Sequence, residues 1–273
     1  MTSKSDWQGR TGRSWAEEWW RTDRSFTGLT DRLLGRASEC RISQAVDVGC
    51  GAGELSLALA RGHPDARVMG IDISGSLITV ARERGTHLAN ASFEVADAAS
   101  WSRDDCRPDL IVSRHGVMFF DEPVAAFANL AQAAAPGARL VFSCFRGRSE
   151  NPWAHEVAAL LPPGSVPVPI ADAPGPFAFA DRGRVEQILS AAGWLKVAFE
   201  RVDFALVIGT GPHAVDEAMA YFQAIGPAAA VAAELPRAEG AAFATRLERF
   251  LEGKREGSLV ALPAAAWIVT AHN

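Results

Sequence analysis

The stretch Val46-Asp47-Val48-Gly49-Cys50-Gly51-Ala52-Gly53 constrains this chain more than any other. Residues Ala45 to Val48 form a short β-branched apolar run, and Glu54 to Ala60 carry Leu55, Ala58 and Leu59 at helical spacing. The glycines therefore lie at a strand-to-helix junction. Glycine tolerates positive φ and lets a ligand approach bare backbone, while the start of the helix offers unpaired N–H groups. Such a turn is built to hold a small molecule. Phosphate-binding turns read G-x-G-x-x-G, or G-x-x-x-x-G-K followed by Ser or Thr. Here the spacing is G-x-G-x-G with no lysine after it, so neither phosphate motif fits.

The next units repeat the pattern. A second strand, Ala66 to Ile71, ends in Asp72, and Ser74 can cap a helix bearing Leu77, Ile78 and Ala81. An acidic side chain at the end of a second parallel strand stands beside the first turn, where it can accept both hydroxyls of a ribose. A third strand, Ala91 to Ala96, sets Phe93 and Val95 against Ser92 and Glu94 and delivers Asp97-Ala98 to the same edge. The fourth, Asp109 to Ser113, runs into Arg114-His115-Gly116-Val117-Met118-Phe119-Phe120. Pro123 opens a helix with Val124, Phe127, Leu130 and Ala134 on one face, and Pro136-Gly137 stops it before a fifth strand, Arg139 to Phe145.

Asp47 through Gly53 resemble the first motif of the class I S-adenosyl-L-methionine (SAM) dependent methyltransferases, an acidic residue two positions before a G-x-G-x-G turn. SAM carries a sulfonium and an amino acid end rather than a pyrophosphate, so an acidic Asp47 suits its ammonium group. The resemblance implies a Rossmann-like, seven-stranded, mostly parallel α/β sheet with an antiparallel last strand, helices on both faces and lid insertions. It also implies that Asp97 meets the adenine amino group and the Ala98 N–H the ring, and that Gly49, Cys50, Gly51, Gly53, Ile73 and Ser113 join Asp47 and Asp72 around the cofactor. The loop after the fourth strand lacks the D/N-P-P-Y motif of enzymes that methylate exocyclic amino or amide nitrogens, which disfavours nucleic acid bases and glutamine as acceptors. Phe119-Phe120-Asp121 and Ala135 to Leu140 are similar to a small-molecule branch containing quinone and natural-product C- and O-methyltransferases. The expected reaction is methylation of an oxygen or carbon of a small, partly hydrophobic metabolite. A SAM-binding module without activity and an NAD-dependent oxidoreductase are the competing readings.

A hydroxyl or acidic carbon acceptor needs its proton removed, and His115 at the end of the central strand is the expected base, ahead of His155 and His213. Arg114 either binds an anionic substrate group or pairs with a nearby carboxylate. Trp15, Trp19 and Trp20 cover the cofactor, line the substrate mouth or glue the N-terminal helices to the core. Residues 1–12 read as disordered, followed by two amphipathic helices; together, 1–40 form a helical lid on a domain spanning 41–273. Seven prolines between 152 and 176 indicate an ordered flap over 146–180, and 211–253 form an alanine-rich helical cap. A helix capped by Asp181 and two strands, 195–207 and 259–270, complete the chain.

The 273 residues, 48% of them hydrophobic, suffice to fill a globular core. A net charge of -5 without like-charge blocks argues against nucleic acid or anionic membrane partners. The four cysteines show no C-x-x-C pair, no metal site is indicated, and no apolar signal core precedes the first motif. A cytoplasmic protein acting on a small molecule is expected, with its oligomeric state open.

Overall fold

The computed structural model describes residues 4–167, 170 and 172–273. Pro169 of the proline-rich flap, with 168 and 171, and the first three residues of the expected disordered leader lie outside the described residues. The described part of that leader is helical: α1 (Lys4–Gln8) and α2 (Arg10–Glu17) precede α3 (Trp19–Ser25) and α4 (Thr27–Ala37). Charge density at 4–13 masks an anchor. Trp7 packs edge-on against Trp15 at 5.2 Å, and a Cβ at Gly12 would lie 2.3 Å from Ser74 Oγ, so α2 presses directly onto the Ser74 turn.

The alternating core follows: β1 (Gln44–Val48), α5 (Glu54–Gly62), β2 (Arg67–Asp72), α6 (Gly75–Gly85), β3 (Ala91–Val95), β4 (Leu110–Arg114), α7 (Pro123–Ala133) and β5 (Arg139–Phe145). Ser74 caps α6 by accepting from Leu77 N–H at 3.4 Å. Beyond β5 come α8 (Pro152–Ala158), α9 (Arg182–Ala191), β6 (Leu195–Thr210), α10 (Ala214–Ala224), α11 (Pro227–Ala232), α12 (Arg237–Glu252), the two-residue β7 (Arg255–Glu256) and β8 (Leu259–His272). Asp181 caps α9 by accepting from Arg184 N–H at 2.7 Å. Among its described residues the proline-dense flap contains only α8 and short turns.

The strands form one sheet in the order β3-β2-β1-β4-β5-β8-β6, with β7 added against β8. Among the described residues it thus has eight strands where seven were expected, the extra one being the short β7. β1 pairs in parallel with both β2 and β4, so strand order reverses between β1 and β4 and opens a crevice at their carboxyl ends. β8 runs antiparallel to β5 and β6, as expected of the last strand. β5 is buried along its whole length, which explains its continuous apolar run. Two expected core residues face out instead: Val95 is 49% exposed at the end of edge strand β3, and Val124 is 40% exposed in the first turn of α7, whose buried stripe is Ala126, Phe127, Leu130 and Ala133. No helix among the described residues is long and apolar enough to cross a membrane.

Candidate active site

A cavity of about 1310 Å³ opens at the β1/β4 crevice. That is more than one small ligand requires and leaves room for two molecules side by side. Its first wall is the glycine turn. Gly49 has φ +64°, and a Cβ there would stand 2.8 Å from Gly116 Cα, so the loops after β1 and β4 touch backbone to backbone. Gly116, which no turn motif flagged, is thus as much a part of the site as Gly49.

The three expected carboxylates share this end of the sheet. Asp72 accepts from Gly51 N–H at 2.9 Å and Ser74 N–H at 2.8 Å, locking the loops after β1 and β2 together. Burial raises its pKa in spite of those bonds. Asp47 is fully buried; one oxygen accepts from Ser56 Oγ at 2.6 Å and the other, Oδ1, has no partner among the described residues. Burial pushes its pKa to about 6. A desolvated carboxylate with a free oxygen is costly unless a cation or donor meets it. Asp97 is partly exposed and accepts from the Lys4 ammonium and from Ala99 N–H at 3.0 Å. Burial alone would raise its pKa, but those two donors hold it below the usual aspartate value.

Cys50, Gly51, Ile73 and Ala98 line the cavity with them. Gly53 and Ser113 stand behind the wall. Gly53 adopts φ +87° and abuts Phe93, where a Cβ would meet the ring at 3.0 Å. Ser113 Oγ accepts from Gly116 N–H at 3.2 Å and so braces the β4 turn.

The N-terminal helices cover this end. Lys4, Trp7, Trp15 and Trp19 line the cavity, while Trp20 is 39% exposed and stacks beneath Arg21 and Arg24 outside it. Asp23 is the residue that pattern reading missed. Its carboxylate pairs with Arg114 and with Arg84, both at 2.9 Å, and Arg84 lies 3.7 Å over the Trp19 ring while also pairing with Glu54 at 2.7 Å. Arg114, bonded as well to Thr30 Oγ1 at 2.9 Å, therefore belongs to a half-buried carboxylate network that ties α3 to the end of β4. No signal in the run Arg21-Thr22-Asp23-Arg24 sets this acid apart from a surface one.

His115 has a left-handed backbone, φ +63°, uncommon for a residue with a side chain. The turn swings its ring against Phe145, stacked at 4.2 Å, with Phe26 edge-on at 5.1 Å. Nδ1 lies 3.4 Å from Ser143 Oγ, while Nε2 is buried and has no hydrogen-bond partner among the described residues; the residue itself lines the cavity. Burial lowers its pKa to about 3, so the ring is neutral over the physiological range. Beyond it the chamber is aromatic: Phe145 lies 5.3 Å from Trp153 and 5.8 Å from Phe177, and Trp153 Nε1 donates to the buried Asn151 Oδ1 at 3.2 Å. Tyr221, its hydroxyl 3.5 Å from Ser25 Oγ, lines the far side. The other candidate bases stand outside the cavity, His155 exposed on α8 and His213 exposed beside Asp216.

A family profile described as "Methyltransferase domain" matches residues 45–137. Trans-aconitate 2-methyltransferase of Variovorax paradoxus is 32% identical over 143 residues, 48% of this chain and 54% of that protein. Malonyl-[acyl-carrier protein] O-methyltransferase of Hahella chejuensis is 34% identical over 113 residues, 41% of this chain and 40% of that protein. The chain spans about half the length of the curated relatives it matches. Among solved structures, Haemonchus contortus phosphoethanolamine N-methyltransferase 2 in complex with S-adenosyl-L-methionine superposes with a TM-score of 0.59 at 14% identity, covering 100% of this chain and 60% of that one. At that identity the likeness speaks for the fold.

Proposed function

From the premise that residues 45–137 form a methyltransferase domain of the class I SAM-dependent family, we propose that this protein methylates an oxygen or carbon of a small, partly hydrophobic acceptor. The observation that carries the reading is a single cavity lined at one end by a half-satisfied buried carboxylate and at the other by an imidazole whose buried Nε2 has no partner among the described residues. Asp47 Oδ1 is suited to an ammonium group, since a cation there would offset the burial that lifts its pKa. Asp72 is held rigidly by two backbone N–H groups and keeps lone pairs for ribose hydroxyls. Asp97 supplies an acceptor for the adenine amino group and Ala98 its N–H for the ring, and Lys4 would have to leave Asp97 for that contact to form. SAM held by Asp47, Asp72 and Asp97 would supply an electrophilic methyl group to the acceptor.

The chain's own task is then alignment and exclusion of water. Trp7, Trp15 and Trp19 roof the cofactor end, fastened by Asp23 to Arg84 and Arg114. His115 Nε2 accepts a hydrogen bond from the acceptor hydroxyl and aims its lone pair. With so low a pKa it is a weak store for the proton, which passes on to water. We read 1–40 as the lid of this site and the segments near 146–180 and 211–253 as its acceptor-side cap.

The test is transfer of label from methyl-labelled SAM by the purified chain to a panel of small phenols, hydroxy acids and enolisable ketones. Labelled product in the organic extract with at least one class is expected. Failure of S-adenosyl-L-homocysteine to bind in calorimetry would overturn the reading outright, and binding without transfer to any class would favour a non-catalytic SAM-binding module.

A further inference from the structure

Three cations line the cavity among the described residues: Lys4, Arg114 and Arg148. Lys4 is engaged by Asp97 and Arg114 by Asp23. Arg148, in the short turn Arg148–Glu150 after β5, has no ion pair among the described residues. Its guanidinium lies 4.4 Å over the Phe177 ring at the exposed rim of the cavity, and partial desolvation there lowers its pKa. From this cation the wall is continuous: Phe177 to Phe145 at 5.8 Å, Phe145 to His115 at 4.2 Å, with Trp153 flanking both phenylalanines at 5.3 and 6.1 Å. At the inner end stands the unpartnered, buried Nε2 of His115.

We propose that this wall is the acceptor subsite for an amphiphilic organic anion, its apolar body along Phe145, Trp153 and Phe177, its anionic group on Arg148 and its methyl-accepting atom at His115. The assignment of the inner end rests on the methyl-transfer reading. The charge balance of the wall narrows the class further. Eight carboxylates line the same cavity against those three cations, so a compact polyanion would meet more repulsion than pairing. A body without charge would gain nothing from Arg148. A guanidinium resting over a ring keeps its planar fork of donors free for two parallel hydrogen bonds to a carboxylate or sulfonate.

The probes are 3-phenylpropanoate and 5-phenylpentanoate with their primary amides, titrated calorimetrically into the full chain before and after saturation with S-adenosyl-L-homocysteine. At least one acid should bind about tenfold or more tighter than its amide. Arg148→Gln should erase that preference while leaving the amide within about twofold, and Arg148→Lys should keep part of it, because a point charge remains without the fork. Equal binding of acid and amide, no binding of either, or an undiminished preference in Arg148→Gln would each overturn the proposal. Because S-adenosyl-L-homocysteine binding is measured separately, its failure would remove the methyl-transfer reading alone, and an acid preference that depends on Arg148 would still identify the anion subsite.

Discussion

The cofactor end and the acceptor end of the cavity are assembled from different kinds of sequence. At the cofactor end Asp47, Asp72 and Asp97 leave three neighbouring parallel strands, and backbone N–H groups of Gly51, Ser74 and Ala99 fix two of the carboxylates. At the acceptor end Phe26, His115, Phe145, Trp153, Phe177 and Tyr221 come from six separate segments, and among the described residues their only side-chain hydrogen bonds are that of Trp153 to Asn151 and the weak contacts of His115 and Tyr221 to serines. The first is polar and backbone-determined; the second is apolar and held by packing. One consequence is that the two ends should respond differently to perturbation, the first through geometry and the second through solvation.

The largest effect should come from the point where the two loops meet. Gly49→Ala forces a Cβ against Gly116 Cα at 2.8 Å in a left-handed conformation, and strain plus overpacking should cost about 4 kcal/mol. Denaturant unfolding should show that loss, with S-adenosyl-L-homocysteine binding abolished. An unchanged midpoint would mean the loops can separate and that backbone geometry does not govern this end.

The acceptor end should show itself in acid. His115 has a folded pKa of about 3 against an ordinary 6.5, so below pH 6.5 the unfolded chain takes up the proton first and stability is lost as pH falls toward 3. Replacing it by glutamine should flatten the stability profile between pH 6.5 and 4 by about 3 kcal/mol. Parallel profiles for the two proteins would show that the ring is solvated in solution.

Asp47 should act with the opposite sign. Its folded pKa of about 6 lies above the ordinary 3.8, so the native state holds the proton longer, and stability is lost as pH rises from about 4 through 6. Asp47→Asn should remove that loss, about 2 to 3 kcal/mol, a smaller change than at His115. The same ionisation should make S-adenosyl-L-homocysteine bind more tightly as pH rises through about 6, and the variant should show a flat, weaker affinity. A wild-type affinity independent of pH from 5 to 7 would rule out an ionic contact to the ligand's ammonium at Asp47.

The cofactor end was legible because its signals are short-range. A strand, a G-x-G-x-G turn and a helix can be read within about 15 residues, and acids at successive strand ends fall on one edge of a parallel sheet by the geometry of the fold. What escaped there were residues whose work is done at a distance: Gly116, which looks like any loop glycine until it meets Gly49, and Lys4 and Trp7, set in a stretch too polar to read as an anchor. Gly53 and Ser113 went the other way. They occupy motif positions yet brace the turns from behind, because which side of a strand end a group faces depends on local twist and on neighbours such as Phe93.

The sequence by itself determined the alternating β and α order, the parallel core and the carboxyl-edge crevice, since periodicity and turn chemistry act over a few residues. Only the tertiary structure decided that Asp23 engages Arg114, that Trp19 roofs the site while Trp20 does not, and that His115 sits dry against Phe145. Those outcomes depend on how apolar faces from distant segments pack together. Packing of that kind is non-directional and compatible with many arrangements until the whole core is in place.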